Sequence, residues 1–104
     1  MRILFDQGTP VPLRDHLPGH RVETAYERGW ASLRNGELLA KAAAEFDLLI
    51  TTDRNIRHQQ NLALRQVAIV VLPTTSWPRL ERMTGKIAAA VNSLQPGQYL
   101  EVPL

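Results

Sequence analysis

Apolar residues along this chain gather into five short runs, and each stands where a strand is expected. The first is Arg2-Ile3-Leu4-Phe5, closed by Asp6. Arg21 to Ala25 alternates, which marks a strand nearer an edge, and Gln98 to Val102 reads as a last short edge strand. Asp47 to Thr52 and Val67 to Leu72 are almost unbroken apolar runs, the pattern of strands covered on both faces.

Helical spacing fills the intervals. Thr9 is placed to cap a short helix that begins at Pro10, turns Leu13 and Leu17 inward, and stops at Pro18-Gly19. Tyr26 to Arg34 is irregular, with Trp30 packing down. Asn35 reads as the cap of a clear helix whose apolar face is Leu38, Leu39, Ala42, Ala43 and Phe46. Residues 53–64 have the polarity of a surface helix, with Ile56 and Leu62 or Ala63 inward. After the loop Pro73 to Pro78, Ser76 or Thr75 caps a final long helix carrying the stripe Leu80, Met83, Ile87, Val91 and Leu94. Strands alternating with helices through one domain, residues 1–104, predict an α/β fold. The expected architecture is a three-layer α/β/α sandwich around a mainly parallel sheet of four to five strands.

Composition narrows the function classes. At 44% hydrophobic and 21% charged residues the balance is that of a globular chain. No apolar run approaches the roughly 20 residues of a membrane span, and Met1-Arg2-Ile3 enters a strand with no cleavable signal pattern. The expectation is a soluble cytoplasmic protein with no membrane partner. The absence of cysteine excludes a thiolate nucleophile, a disulfide framework and a Cys-type zinc site. The net charge is only +2, but ten of the twelve basic residues are Arg, which suits bidentate phosphate contact. A GC-rich genome explains the same bias, so it leans toward nucleic acid without deciding it.

The candidate chemistry lies at strand ends. In an open parallel sheet, ligands bind beyond the carboxyl ends of the strands, and there both the first and third strands deliver an aspartate, Asp6 and Asp53. Glu37 sits in the first turn of the helix leading to the Asp53 strand. It reaches the same pocket only if the long loop before Asn35 brings the helix start back over the carboxyl ends. Three clustered carboxylates suit Mg²⁺ or Mn²⁺, which take oxygen ligands and keep several waters. Plainer roles compete: Glu37 complements its helix dipole, Asp53 caps the following helix, and Asp6 forms a turn. Arg54, Arg57 and His58 are candidate phosphate contacts beside the metal, or simply a solvated face. Gln7, Asn55 and Thr75 are candidate pocket-lining residues, Thr75 equally serving as a helix cap. Trp30 and Trp77 read as core or interface anchors.

These features in this order resemble the compact PIN-like family, small relatives of the PIN-domain nucleases that act as toxins of toxin–antitoxin pairs. The segment Ile3 to Pro10 is similar to the family's opening strand and Asp-Glu-Asn-Leu-Pro turn, and Gly19 to Val22 to its Gly-His-Asp-Val strand. Asn35 to Leu39 is similar to its acidic helix start, and Leu49 to Ile56 to its Thr-x-Asp-x-Asp-Phe segment. The resemblance implies a PIN-like fold and a metal-dependent nuclease site at Asp6, Glu37 and Asp53. RNA would be the substrate, with an antitoxin protein as partner and a homodimer by analogy. Two positions depart from the pattern: Gln7 replaces a Glu and Asn55 an Asp. Each exchange removes a negative charge and weakens the expected grip on a cation. The sequence therefore leads to a divalent-metal-dependent endoribonuclease, toxin-like and weakened. The alternative is a catalytically inactive PIN-like module that binds RNA or a partner protein.

Overall fold

The computed structural model describes residues 1–58 and 66–104, and of Asn35 the backbone alone. Five strands form one sheet among these residues: β1 (Arg2–Phe5), β2 (Arg21–Thr24), β3 (Leu48–Thr51), β4 (Ala68–Val71) and β5 (Tyr99–Glu101). Their order is β2-β1-β3-β4-β5, and every neighbouring pair is parallel. The α/β class and the parallel sheet follow the sequence pattern, and the near-apolar β3 and β4 lie at the interior of the sheet.

Alternation along each strand builds two apolar layers. Ile3, Phe5, Leu48, Ile50, Ala68 and Val70 face one side, where they meet Leu13 and Leu17 and the helices α2 (Trp77–Glu81) and α3 (Thr84–Ser93). Leu4, Leu49, Ile69 and Val71 face the other side, against Leu38, Leu39 and Ala42 of α1 (Asn35–Glu45) and against Ile56. Ile50 is fully buried, and taking a side chain of that size out of water contributes about 1.5–3 kcal/mol. The segment from β1 to β2 and the one from β4 to β5 cross the same face of the sheet while stepping in opposite directions. The two crossovers therefore have opposite hands, so one departs from the usual right-handed connection.

Several local expectations are revised. The first helix is a 3₁₀ segment, Val11–His16, with Pro10 at its cap position. Thr9 does not cap it, because its hydroxyl is used elsewhere. Arg34 occupies the cap position of α1, so Asn35 is the first helical residue. The first part of the helix expected over 53–64 is a 3₁₀ turn, Arg54–His58, held down by buried Ile56; the rest of it, with Leu62 and Ala63, lies outside the described residues. The final helix is broken at Arg82-Met83, where Met83 N–H donates to the Leu80 carbonyl three residues back and Thr84 donates its hydroxyl to the Glu81 carbonyl. Neither Thr75 nor Ser76 makes a side-chain cap for α2; Ser76 N–H instead donates to the Thr74 hydroxyl at 3.0 Å. The apolar stripe survives the break, because Leu80, Ile87 and Val91 are all buried against one layer.

Candidate functional site at the carboxyl rim

The connection after β1 leads to one side of the sheet and the chain re-enters on the other at β3, so the carboxyl ends of these two strands flank the point where the strand order reverses. That is where an open α/β sheet leaves a crevice for a ligand. Asp6 stands there. Its backbone N–H donates to the Ile50 carbonyl at 3.1 Å, which continues the β1–β3 ladder by one residue and sets the direction of the side chain.

The Asp6 carboxylate is oriented by two hydroxyls. Thr9 donates to Oδ1 at 2.7 Å and also lies 2.9 Å from the Ile50 carbonyl oxygen. Thr51 donates to Oδ2. Both threonines are buried while Asp6 is half-buried, so the carboxylate is gripped from below and open from above. Each oxygen has a second acceptor direction left for a ligand. The Thr51 hydroxyl also accepts the backbone N–H of Asp53 at 3.1 Å, and one oxygen thus joins the two aspartate-bearing segments. Asp53 in turn accepts the Asn55 N–H through Oδ1 at 2.8 Å, an Asx turn that starts the following 3₁₀ segment.

Gly8 gives the turn beside Asp6 room for the Thr52 side chain. A Cβ there would stand 2.7 Å from the Thr52 hydroxyl oxygen and in ordinary contact, 3.8 Å, with Asp6 Oδ1, so a larger residue would force Thr52 or the turn to shift beside the carboxylate. Neither the turn chemistry nor the capping pattern in the sequence signalled Thr9 or Thr51 as partners of Asp6. The only available signal was the density of hydroxyls in Gly8-Thr9 and Thr51-Thr52, both beside an aspartate.

Glu37 behaves differently. The chain leaves β2 at the carboxyl rim, where Ala25 N–H donates to the Phe5 carbonyl, and α1 then runs back to the amino rim, where Asp47 N–H donates to the Arg2 carbonyl. The start of α1 therefore lies toward the same rim as Asp6, as the expectation required. Its carboxylate, however, is exposed and accepts the Arg34 backbone N–H at 3.3 Å. Among the described residues no group of three or more Asp, Glu or His side chains is arranged to hold a metal ion, so a three-carboxylate cage is not formed. What the rim does present is one oriented carboxylate, Asp6, held by two hydroxyls; a hard cation bound there would need waters to complete most of its shell.

The remaining candidates are spread along the rim. Gln7 is exposed and shares a hollow of about 200 Å³ with Asp6, Arg14, Thr24, Tyr26 and Glu27. Asn55 is exposed, and so is Thr75, which stays in the loop after β4 and does not line that hollow. Arg54, Arg57 and His58 are exposed on the 3₁₀ turn. Arg57 pairs with Glu101 at 3.5 Å and its Nε donates to the His58 ring at 3.3 Å. The Tyr99 hydroxyl, 2.7 Å from Glu101, and the nearby Arg57 and Arg54 hold the Glu101 carboxyl below its ordinary value. Trp77 packs on the first apolar layer and Trp30 meets Phe46 edge-on at 6.2 Å, so both serve the core. Two other hollows lie at the amino rim around Asp47 and Pro96. They contain none of the candidate residues, and the carboxyl rim is the one that parallel sheets use.

Comparison with family models, with curated proteins and with solved structures returns no match.

Proposed function

We propose that this chain is a PIN-like, divalent-metal-dependent endoribonuclease of modest activity, the toxin-like member of a toxin–antitoxin pair. The observation that carries the reading is Asp6 at the strand-order reversal, oriented by Thr9 and Thr51 and linked through Thr51 to the segment of Asp53. Asp6 is the principal ligand for Mg²⁺ or Mn²⁺, and Asp53 the second. When bound, such an ion acidifies a water for attack and offsets charge on the phosphate. The chain's own residues do the positioning: the two hydroxyls fix the carboxylate, Gly8 lets the turn after Asp6 pack beside Thr52, and Arg54 and Arg57 border the rim with positive charge. Glu37, engaged at the start of α1, contributes negative charge near the rim rather than a direct ligand. Gln7 and Asn55 lower the anionic count further, which is why the activity is modest.

Purified protein is expected to cleave single-stranded RNA in Mn²⁺ and to lose that cleavage in EDTA or as Asp6→Asn. Undiminished cleavage by Asp6→Asn sinks the assignment. A second reading, a non-catalytic PIN-like module for RNA or a partner protein, is favoured by the lack of a three-carboxylate group among the described residues. Titration calorimetry decides between them: heat of Mn²⁺ binding that disappears in Asp6→Asn supports the nuclease, and no binding at millimolar Mn²⁺ supports the module.

A further inference from the structure

We infer that the hollow between Asp6 and Tyr26 is a base subsite, which receives one unstacked nucleobase of single-stranded RNA flat against the Tyr26 ring. The inference rests on the reading of the protein as RNA-directed and adds where the strand is gripped. Tyr26 is 80% exposed, the most exposed large hydrophobic of the described residues. Exposed aromatics are common singly, but this one borders a hollow that Asp6 and Thr9 also line.

The turn that presents the ring is pinned. Glu27 accepts the Thr24 N–H at 2.9 Å and its own N–H donates to the Thr24 hydroxyl at 3.0 Å. Gly29 N–H then donates to the Tyr26 carbonyl at 3.1 Å. A ring on a fixed turn gives up little freedom on stacking, which is what a recognition platform needs. Arg14 also lines the hollow, its guanidinium 2.8 Å from Glu27. Its Nε is buried and makes no hydrogen bond with another described residue.

Size and charge select the occupant. About 200 Å³ is below the roughly 300–1,000 Å³ of pockets for drug-sized ligands and suits a single flat ring system. Arg14 is the one cation among the lining residues and is paired with Glu27, so the hollow itself offers a phosphate no unshared positive charge. A neutral ring with polar edges needs none. Bases in a duplex are stacked and paired, so only a single strand can offer one.

The test is binding of a short single-stranded RNA carrying one 2-aminopurine, followed by its fluorescence in EDTA so that no strand is cut. Wild-type protein is expected to quench the probe. Tyr26→Ala should weaken binding about tenfold, within the range of base–aromatic stacking, while Tyr26→Phe and Tyr26→Trp stay within about threefold. A duplex of the same sequence should not compete. No binding by wild type, equal affinity for Tyr26→Ala, or full competition by duplex overturns the subsite. The nuclease reading is separable, because it depends on Mn²⁺ and Asp6. Quenching that needs Tyr26 without any metal-dependent cleavage leaves the subsite standing and removes the nuclease; Asp6-dependent cleavage with Tyr26-independent binding does the reverse.

Discussion

The hydroxyl of Thr51, the last residue of β3, donates to the carboxylate of Asp6, the first residue beyond β1. The contact spans 45 residues of sequence and joins the strands at the point where their order reverses. The same oxygen accepts the Asp53 N–H, so a single buried side chain sets the relation between two candidate metal ligands.

Thr51→Val keeps the shape and removes both bonds. A hydrogen bond to a charged group contributes about 1.5–3 kcal/mol, and a domain of this size loses roughly 4–8 °C of Tm for each kcal/mol. The variant should therefore melt several degrees lower and bind Mn²⁺ more weakly, as read by thermal denaturation and calorimetry. An unchanged Tm together with unchanged Mn²⁺ affinity would show that Thr51 does not organise Asp6.

Gly8→Ala should impair the site by crowding. The added carbon would meet the Thr52 hydroxyl at 2.7 Å, so Thr52 or the turn must shift. The expected cost is about 1–3 kcal/mol, as for other overpacked positions, with a loss of Mn²⁺ binding. Adding Thr52→Ala should restore most of both in urea titration and calorimetry. Failure of the second change to rescue would place the defect in the backbone of the turn.

At both extremes of pH, stability should follow the Tyr99–Glu101 pair and Glu27. Burial, followed by the neighbouring Glu101, pushes the Tyr99 hydroxyl up to about 12 from its ordinary value of 10. A group whose pKa is higher in the folded state contributes fully below its unfolded pKa and loses that contribution as pH rises toward the folded one. Urea midpoints should therefore fall between pH 10 and about 12, and less so in Tyr99→Phe. Glu27 is held below its ordinary value by the Thr24 N–H first and then by Arg14, and Glu101 by the Tyr99 hydroxyl first and then by Arg57. Their contribution is present above the unfolded value of 4.5 and fades as pH drops beneath it. Glu27→Gln and Glu101→Gln should each flatten the acid limb; an acid limb identical to wild type in both would refute these two groups as its source.

Much of this arrangement is legible in the order of the residues. Period-two and period-three-to-four spacing is a local property, set by how side chains leave a strand or a helix. Hence the five apolar runs, the parallel α/β class, the cap region of α1 and the stripe from Leu80 to Val91 could be read before any coordinates. So could the delivery of Asp6 and Asp53 to strand ends, because an aspartate that closes an apolar run has nowhere else to go. Pairings between distant segments carry no such local signature. That Thr9 serves Asp6 instead of capping its own helix, that Thr51 bridges two aspartates, and that Gly8 is small because Thr52 lies opposite all depend on β1 docking beside β3. The same holds for Glu37, which reaches the correct rim yet turns to the Arg34 N–H, and for Tyr26, which lines the same hollow as Asp6 only after β2 takes its place at the edge. Each is a contact between segments tens of residues apart or a choice among near-equal local partners, and only the packed sheet selects among them.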